Sequence, residues 1–122
     1  MRTILFADDD KGIRQFCQRE FEEEGYRVLV AGDGYEAMRI IQQTVPDLVV
    51  LDLHMPRLGG LETARQIKRR APHMPIVFFT QHVRQGQPEV CASLAQACLE
   101  KDADLTALKE TVESILTTSP QP

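Results

Sequence analysis

Four short apolar runs punctuate the chain: Ile4-Leu5-Phe6-Ala7, Val28-Leu29-Val30-Ala31, Leu48-Val49-Val50-Leu51 and Ile76-Val77-Phe78-Phe79. They are mostly rich in β-branched or aromatic residues and show no polar alternation, which predicts strands buried on both faces. Cys98-Leu99-Glu100 is a weaker fifth candidate. Between the runs the spacing becomes helical. Ile13, Phe16, Cys17 and Phe21 recur at i, i+3, i+4 and i+8, and Gly25 marks the stop. Asp33 followed by Glu36 reads as a capping box opening a helix through Met38, Ile41 and Val45. Leu61, Ala64, Ile67 and Ala71 mark a third helix, closed by Pro72, and Leu105, Leu108, Val112, Ile115 and Leu116 a long C-terminal one. A helix around Glu89–Ala95 is poorly signalled, and residues 81–88 (QHVRQGQP) read as a loop.

Strands alternating with helices imply an α/β fold, a parallel sheet with helices on both faces. Parallel strands end at a common edge, and chemistry-bearing residues follow the runs. Asp8 and Asp9 follow the first, Asp52 the third, Thr80 the fourth and Lys101 the weak fifth. Ligands of open α/β sheets bind at that edge, at a switch in strand order. Asp52 also needs an explanation of its own, because it ends the run Leu48 to Leu51. A buried carboxylate without a partner is costly or takes up a proton.

Composition narrows the setting. A chain of 122 residues suits one domain with its own core. Residues 1–118 are expected to form it, with 119–122 as a tail or linker stub; the polar, Pro-rich Thr117–Pro122 is expected to fray. No apolar run approaches the roughly 20 residues of a membrane helix, and the three aspartates after Ala7 do not suit a signal peptide. Net charge is −4, and Lys and Arg are scattered apart from Lys68-Arg69-Arg70, so nothing offers nucleic acid a basic surface. Cys17, Cys91 and Cys98 are odd in number and lack C-x-x-C spacing, which favours thiols in a cytoplasmic protein over a disulfide frame or zinc site. Cys17 falls on a helix's apolar face as core filler.

Three carboxylates crowded together repel one another unless a cation joins them. Mg2+ suits such a place, since it prefers oxygen ligands and recruits only one or two carboxylates plus a phosphate. An aspartate beside it can attack phosphorus and become an aspartyl phosphate. Lys101 would meet one phosphoryl oxygen as a point charge and Thr80 would donate a hydrogen bond to another. Other features have plainer readings. Asp10 suits a helix N-cap, and Gly59-Gly60 a turn before a helix. His54, His73 and His82 lack metal-ligand spacing, and Lys68-Arg69-Arg70 suits a solvated helix end. No G-x-x-x-x-G-K-[ST] phosphate loop occurs.

The segments "ILFADDD" (4–10), "PDLVVLDLHMP" (46–56), "GG" (59–60), "PIVFFT" (75–80) and "LEKDAD" (99–104) together resemble the receiver domains of two-component response regulators. The likeness spans essentially the whole chain. It implies a five-stranded doubly wound, flavodoxin-like sheet in the order 2-1-3-4-5. It also implies Asp52 as phosphoacceptor, Asp8 and Asp9 as the acidic pair serving Mg2+, and His54 as a metal ligand through its backbone carbonyl. Thr80 and Lys101 match the family's switch hydroxyl and lysine. The implied donor is a phosphohistidine on a histidine kinase or histidine phosphotransfer protein, and the implied target a downstream protein or a C-terminal output domain. The domain itself would bind neither nucleic acid nor membrane.

The resemblance has gaps on one side. The position after the switch threonine, usually small in the family, is Gln81. The position three before the lysine, usually Tyr or Phe, is Cys98. "SLAQAC" (93–98) replaces the family's Gly-Ala-rich approach to the fifth strand. With no ring to swing at Cys98, phosphorylation is expected to remodel 81–95 and leave the surface around Cys98 comparatively still. Two other functions fit less well. A haloacid-dehalogenase-like phosphatase would need a second aspartate two residues after the nucleophile, where His54 stands. An interaction module working without phosphorylation would not need the complete pocket.

Overall fold

In the computed structural model, which describes residues 1–81, 88–101 and 104–118, strands and helices alternate along the chain. The strands are β1 (Thr3–Ala7), β2 (Arg27–Ala31), β3 (Leu48–Leu51), β4 (Ile76–Thr80) and β5 (Ala97–Glu100). The helices are α1 (Lys11–Glu23), α2 (Gly34–Gln43), α3 (Gly60–Arg70), α4 (Pro88–Leu94) and α5 (Thr106–Thr118). The five strands form one parallel sheet in the order β2-β1-β3-β4-β5, the order implied by the family resemblance.

Side chains alternate across each strand, so the runs divide between two cores. Leu5, Ala7, Val49, Leu51 and Phe78 pack with Met38 and Ile41 of α2, Ala64 and Ile67 of α3 and Cys91 of α4. Ile4, Phe6, Val50, Val77 and Phe79 pack on the other face with Cys17 and Phe21 of α1 and Leu108, Val112 and Leu116 of α5. Each large side chain so buried contributes about 2 kcal/mol before ordering costs. β1, β3 and β4 are buried throughout, as unbroken apolar runs require, whereas the edge strand β5 is only half-buried.

The helix ends follow local chemistry. Asp10 caps α1 by accepting from Ile13 N at 3.1 Å, and Gly25 turns the chain at φ 95°. Asp33 accepts from Glu36 N at 2.9 Å, and Glu36 reaches back to Gly32 N at 2.9 Å. Two boundaries differ from expectation. α2 stops at Gln43, and Val45 is 71% exposed rather than on the apolar face. Pro46 disfavours helical backbone in the residue before it, and Thr44 has already left the helix. Thr117 and Thr118, expected in the frayed tail, belong to α5, where their hydroxyls donate to the carbonyls of Glu113 and Ser114 at 2.9 Å. The expected tail at 119–122 and most of the expected loop at 81–88 lie outside the described residues.

Candidate phosphoryl-transfer site

The strand ladders run on past the strands and carry the polar residues with them. Asp8 N donates to Ala31 O at 3.0 Å, Asp52 N to Ala7 O at 2.9 Å and Lys101 N to Thr80 O at 3.0 Å. Each residue is therefore set by one more rung than its apolar run supplies. Asp8, Asp52 and Thr80 are buried and Asp9 is exposed.

Lys101 closes the cluster. Its Nζ lies 2.7 Å from Asp8 Oδ2 and 3.2 Å from Asp52 Oδ2. One carboxylate oxygen from each of Asp8, Asp9 and Asp52 fits within 4.8 Å of the others. Among the described residues, one ammonium thus pairs with two of the three acids. The titration behaviour follows from that imbalance. Burial raises the Asp8 carboxyl above its usual range; the hydrogen bonds from Lys101 and Asp10 N pull it back only in part, and the Asp52 charge pushes it up again. Burial lowers the Lys101 ammonium, but its hydrogen bond and ion pair to Asp8, with Asp52 beyond, outweigh this and leave it raised. The lysine gains from two carboxylates while Asp8 stays short of positive charge. That shortage suits a dication with oxygen ligands, so the residues present fit Mg2+.

Thr80 Oγ1 is buried and is, among the described residues, a side-chain polar atom without a hydrogen-bond partner. Such an atom is costly to leave unsatisfied, about 1–3 kcal/mol. It borders an open cleft of about 210 Å³ shared by Asp52, His54, Gln81 and Lys101. The His54 side chain is exposed, and its backbone N–H faces Asp52 Oδ1 at 3.4 Å, a long contact. Gln81 is exposed at the mouth. The structure brings Asp8, Asp9, Asp52, Thr80 and Lys101 to one edge from four segments.

Several supports were not legible in the sequence. Arg14 Nη1 donates to Asp8 O at 2.8 Å and fixes the turn after β1. Arg57, in the loop that follows Asp52, adopts φ 67°, a conformation most side chains avoid. It is 73% exposed, yet its guanidinium binds the buried Asp33 carboxylate. The backbone hydrogen bond from Glu36 and the charge of Arg57 hold the Asp33 carboxyl below its usual range despite burial. Gly60, the second of the two glycines read as a turn, has a closer purpose, and Gly34 at the start of α2 shares it. A Cβ on Gly60 would lie 2.2 Å from Asp52 O, and one on Gly34 would lie 2.6 Å from Leu58 O. Only a residue without a side chain lets α3 start against the backbone of Asp52.

Comparisons with known proteins identify the family. Residues 4–113 match the family model for the response regulator receiver domain. The chain belongs to that family: it is a receiver domain of a two-component response regulator. It is 44% identical over 77 residues to the response regulator MprA of Mycobacterium sp. (strain KMS), a match covering 63% of this chain and 34% of MprA. The match thus spans about a third of the length of that curated relative. Among solved structures it resembles the response regulator TrrA of Thermotoga maritima in complex with Mg2+ and BeF, at 31% identity and TM-score 0.88, over 94% of this chain and 99% of TrrA. TrrA bound to the histidine kinase ThkA is similar at 32% identity and TM-score 0.87, over 95% of this chain and 99% of that one. Among the described residues no helix is long and apolar enough to cross a membrane.

Proposed function

We propose that Asp52 accepts a phosphoryl group from a phosphohistidine on a histidine kinase or histidine phosphotransfer protein. A carboxylate oxygen of Asp52 attacks phosphorus, the P–N bond to the imidazole breaks, and its electron pair stays on the imidazole nitrogen. Asp8, Asp9, Asp52 and the backbone carbonyl of His54 would hold Mg2+, which supplies charge neutralisation for the transferring group. Lys101 is the cation already resident between Asp8 and Asp52. With the carboxylates held by that ion, the Lys101 ammonium would be free to meet a phosphoryl oxygen. Thr80 turns its hydroxyl to another phosphoryl oxygen and gains the partner it lacks. The chain acts as a signalling domain in the cytoplasm and turns over only its own aspartyl phosphate. Its output goes to a downstream protein or a C-terminal output domain.

The observation that carries this reading is the unsatisfied, buried Thr80 hydroxyl on the same cleft as Asp52 and Lys101. The test is incubation with acetyl phosphate and Mg2+, followed by intact mass measurement. Wild type should gain one phosphoryl group, and wild type without Mg2+ or the Asp52→Asn variant with it should gain none. Full labelling of Asp52→Asn would remove Asp52 as the acceptor. No labelling of a folded wild type would favour an interaction module that works without phosphorylation.

A further inference from the structure

The face carrying α4 and β5 holds a pair of thiols that phosphoryl transfer does not use. Cys91 lies on α4 and is 2% exposed; Cys98 lies on β5 and is half-buried. Ala97 and Leu99 turn toward the α1 and α5 core, so the alternation of β5 points Cys98 to the opposite face, where Cys91 packs. There Cys98 packs against the core that contains Cys91, near enough for Cys91 to raise the Cys98 thiol. Only Ala95 and Gln96 separate their elements in the chain. Cys17, the third thiol, is buried in the other core with the sheet between.

We propose that Cys91 and Cys98 are a redox modification site, closing to a reversible disulfide when the chain meets a peroxide. Cys98, the more accessible sulfur, attacks as thiolate. Its S–O bond forms as the peroxide O–O bond breaks, and the departing hydroxide takes a proton to leave as water. Cys98 is thereby oxidised by two electrons to a sulfenic acid and the peroxide reduced. Cys91 then attacks the Cys98 sulfur. The S–S bond forms, the S–O bond breaks, and the hydroxide leaves as a second water with the Cys91 proton. In total two thiols and one hydrogen peroxide give one disulfide and two waters. Burial, with Cys91 alongside, pushes the Cys98 thiol up to about 11, so the thiolate is scarce at neutral pH and the site answers sustained rather than fleeting oxidant. Cys17, 1% exposed in the other core, is shielded from oxidant. The bond ties α4 to β5, beside the wall of the cleft that carries Thr80 and Lys101. The proposal is independent of any role for Asp52.

The experiment treats the intact chain with millimolar hydrogen peroxide at mildly alkaline pH, alkylates remaining thiols, and maps tryptic peptides. Residues 85–101 contain no internal Lys or Arg before Lys101, so both cysteines fall in one peptide. That peptide should emerge two hydrogens lighter and unalkylated, and dithiothreitol before alkylation should restore its mass. In Cys91→Ser the resolving thiol is gone, and dimedone should trap a sulfenic acid on Cys98 that escapes it in wild type. Wild-type Cys91 still alkylated while Cys98 carries sulfinic or sulfonic acid would overturn the proposal. So would both thiols left unreacted, or disulfide-linked dimers in place of the internal bond.

Discussion

The two walls of the cleft are built to different tolerances. On the β3–α3 wall there is no slack. Gly60 N donates to Leu53 O at 3.0 Å, Gly34 N to Leu58 O at 3.1 Å, and a methyl group at either glycine would strike backbone. Arg57 accepts a strained φ to reach Asp33 across that wall. On the β4–β5 wall the opposite holds. Thr80 keeps a buried hydroxyl without a partner, β5 is half-buried, and a small thiol stands at position 98. The difference separates two tasks. Attack on phosphorus needs reacting atoms held within tenths of an ångström. Signalling needs a group with two arrangements of similar free energy, which a ligand can bias only through its different affinity for each.

The largest contrast is expected from Gly60→Ala. Its Cβ would meet Asp52 O at 2.2 Å and Leu53 Cα at 2.8 Å, and neither can give without moving the backbone of the proposed acceptor. A loss of about 3 kcal/mol in urea unfolding is expected, the upper end of overpacking costs. Cys98→Ala on the other wall should cost about 1 kcal/mol or less, since little buried volume is lost. Equal costs at the two sites would break the comparison.

Removing the shared cation comes next. Lys101→Ala leaves the buried Asp8 and Asp52 carboxylates facing each other, at an expected cost of about 2 kcal/mol at neutral pH. Millimolar Mg2+ should recover more stability in this variant than in wild type, as read by the unfolding midpoint. Equal recovery would mean that ammonium and metal do not compete for the same oxygens.

The acids on the two loops should respond to pH with opposite sign. The Asp8 carboxyl is raised above 3.8, so its contribution is fully present below 3.8 and lost as pH rises through the folded value. Asp8→Asn removes that loss. The variant should gain on wild type between about pH 4 and neutral, while binding Mg2+ more weakly in titration. The Asp33 carboxyl is lowered, so its contribution is present above 3.8 and lost as pH falls through the folded value. Asp33→Ala should therefore cost about 1 kcal/mol at neutral pH, a typical lost N-cap, and approach wild type in strong acid. The smallest stability effect belongs to exposed Gln81, where Ala should change unfolding by under about 0.5 kcal/mol. Its effect should instead appear in the decay rate of the phosphorylated chain, several-fold in either direction. An unaltered rate would remove Gln81 from the path of water.

The sequence made the sheet and its polar edge legible because both depend on short-range pattern. Buried parallel strands advertise themselves as unbroken apolar runs, and the residue after each run must fall at a common edge. Even β5, with its weak signal, lies one residue from where Cys98-Leu99-Glu100 suggested. The errors came where local pattern and chain punctuation compete. Val45 continued a helical spacing that Pro46 had already ended, and Thr117 and Thr118 looked like tail but donate their hydroxyls to the carbonyls of Glu113 and Ser114 one turn back. What could not be read was contact between distant segments. Nothing local marks Arg57 as the partner of Asp33 or Arg14 as the support of Asp8 O, and Gly59-Gly60 looks like any turn until α3 is seen against Asp52. The Cys91 and Cys98 pairing is of the same kind, since it needs the facing of β5 as well as the spacing.

Backbone NMR of the Mg2+-loaded chain, with and without beryllofluoride, tests the division between the walls most directly. The expected result is that shifts outside the cleft concentrate on the β4 side, at Gln81 and along α4, with β5 around Cys98 moving less for want of a ring to swing, while Leu53 to Gly60 and the start of α3 stay close to their starting positions. The largest shifts between Leu53 and Gly60 and at the start of α3, with Gln81 and α4 unmoved, would contradict it.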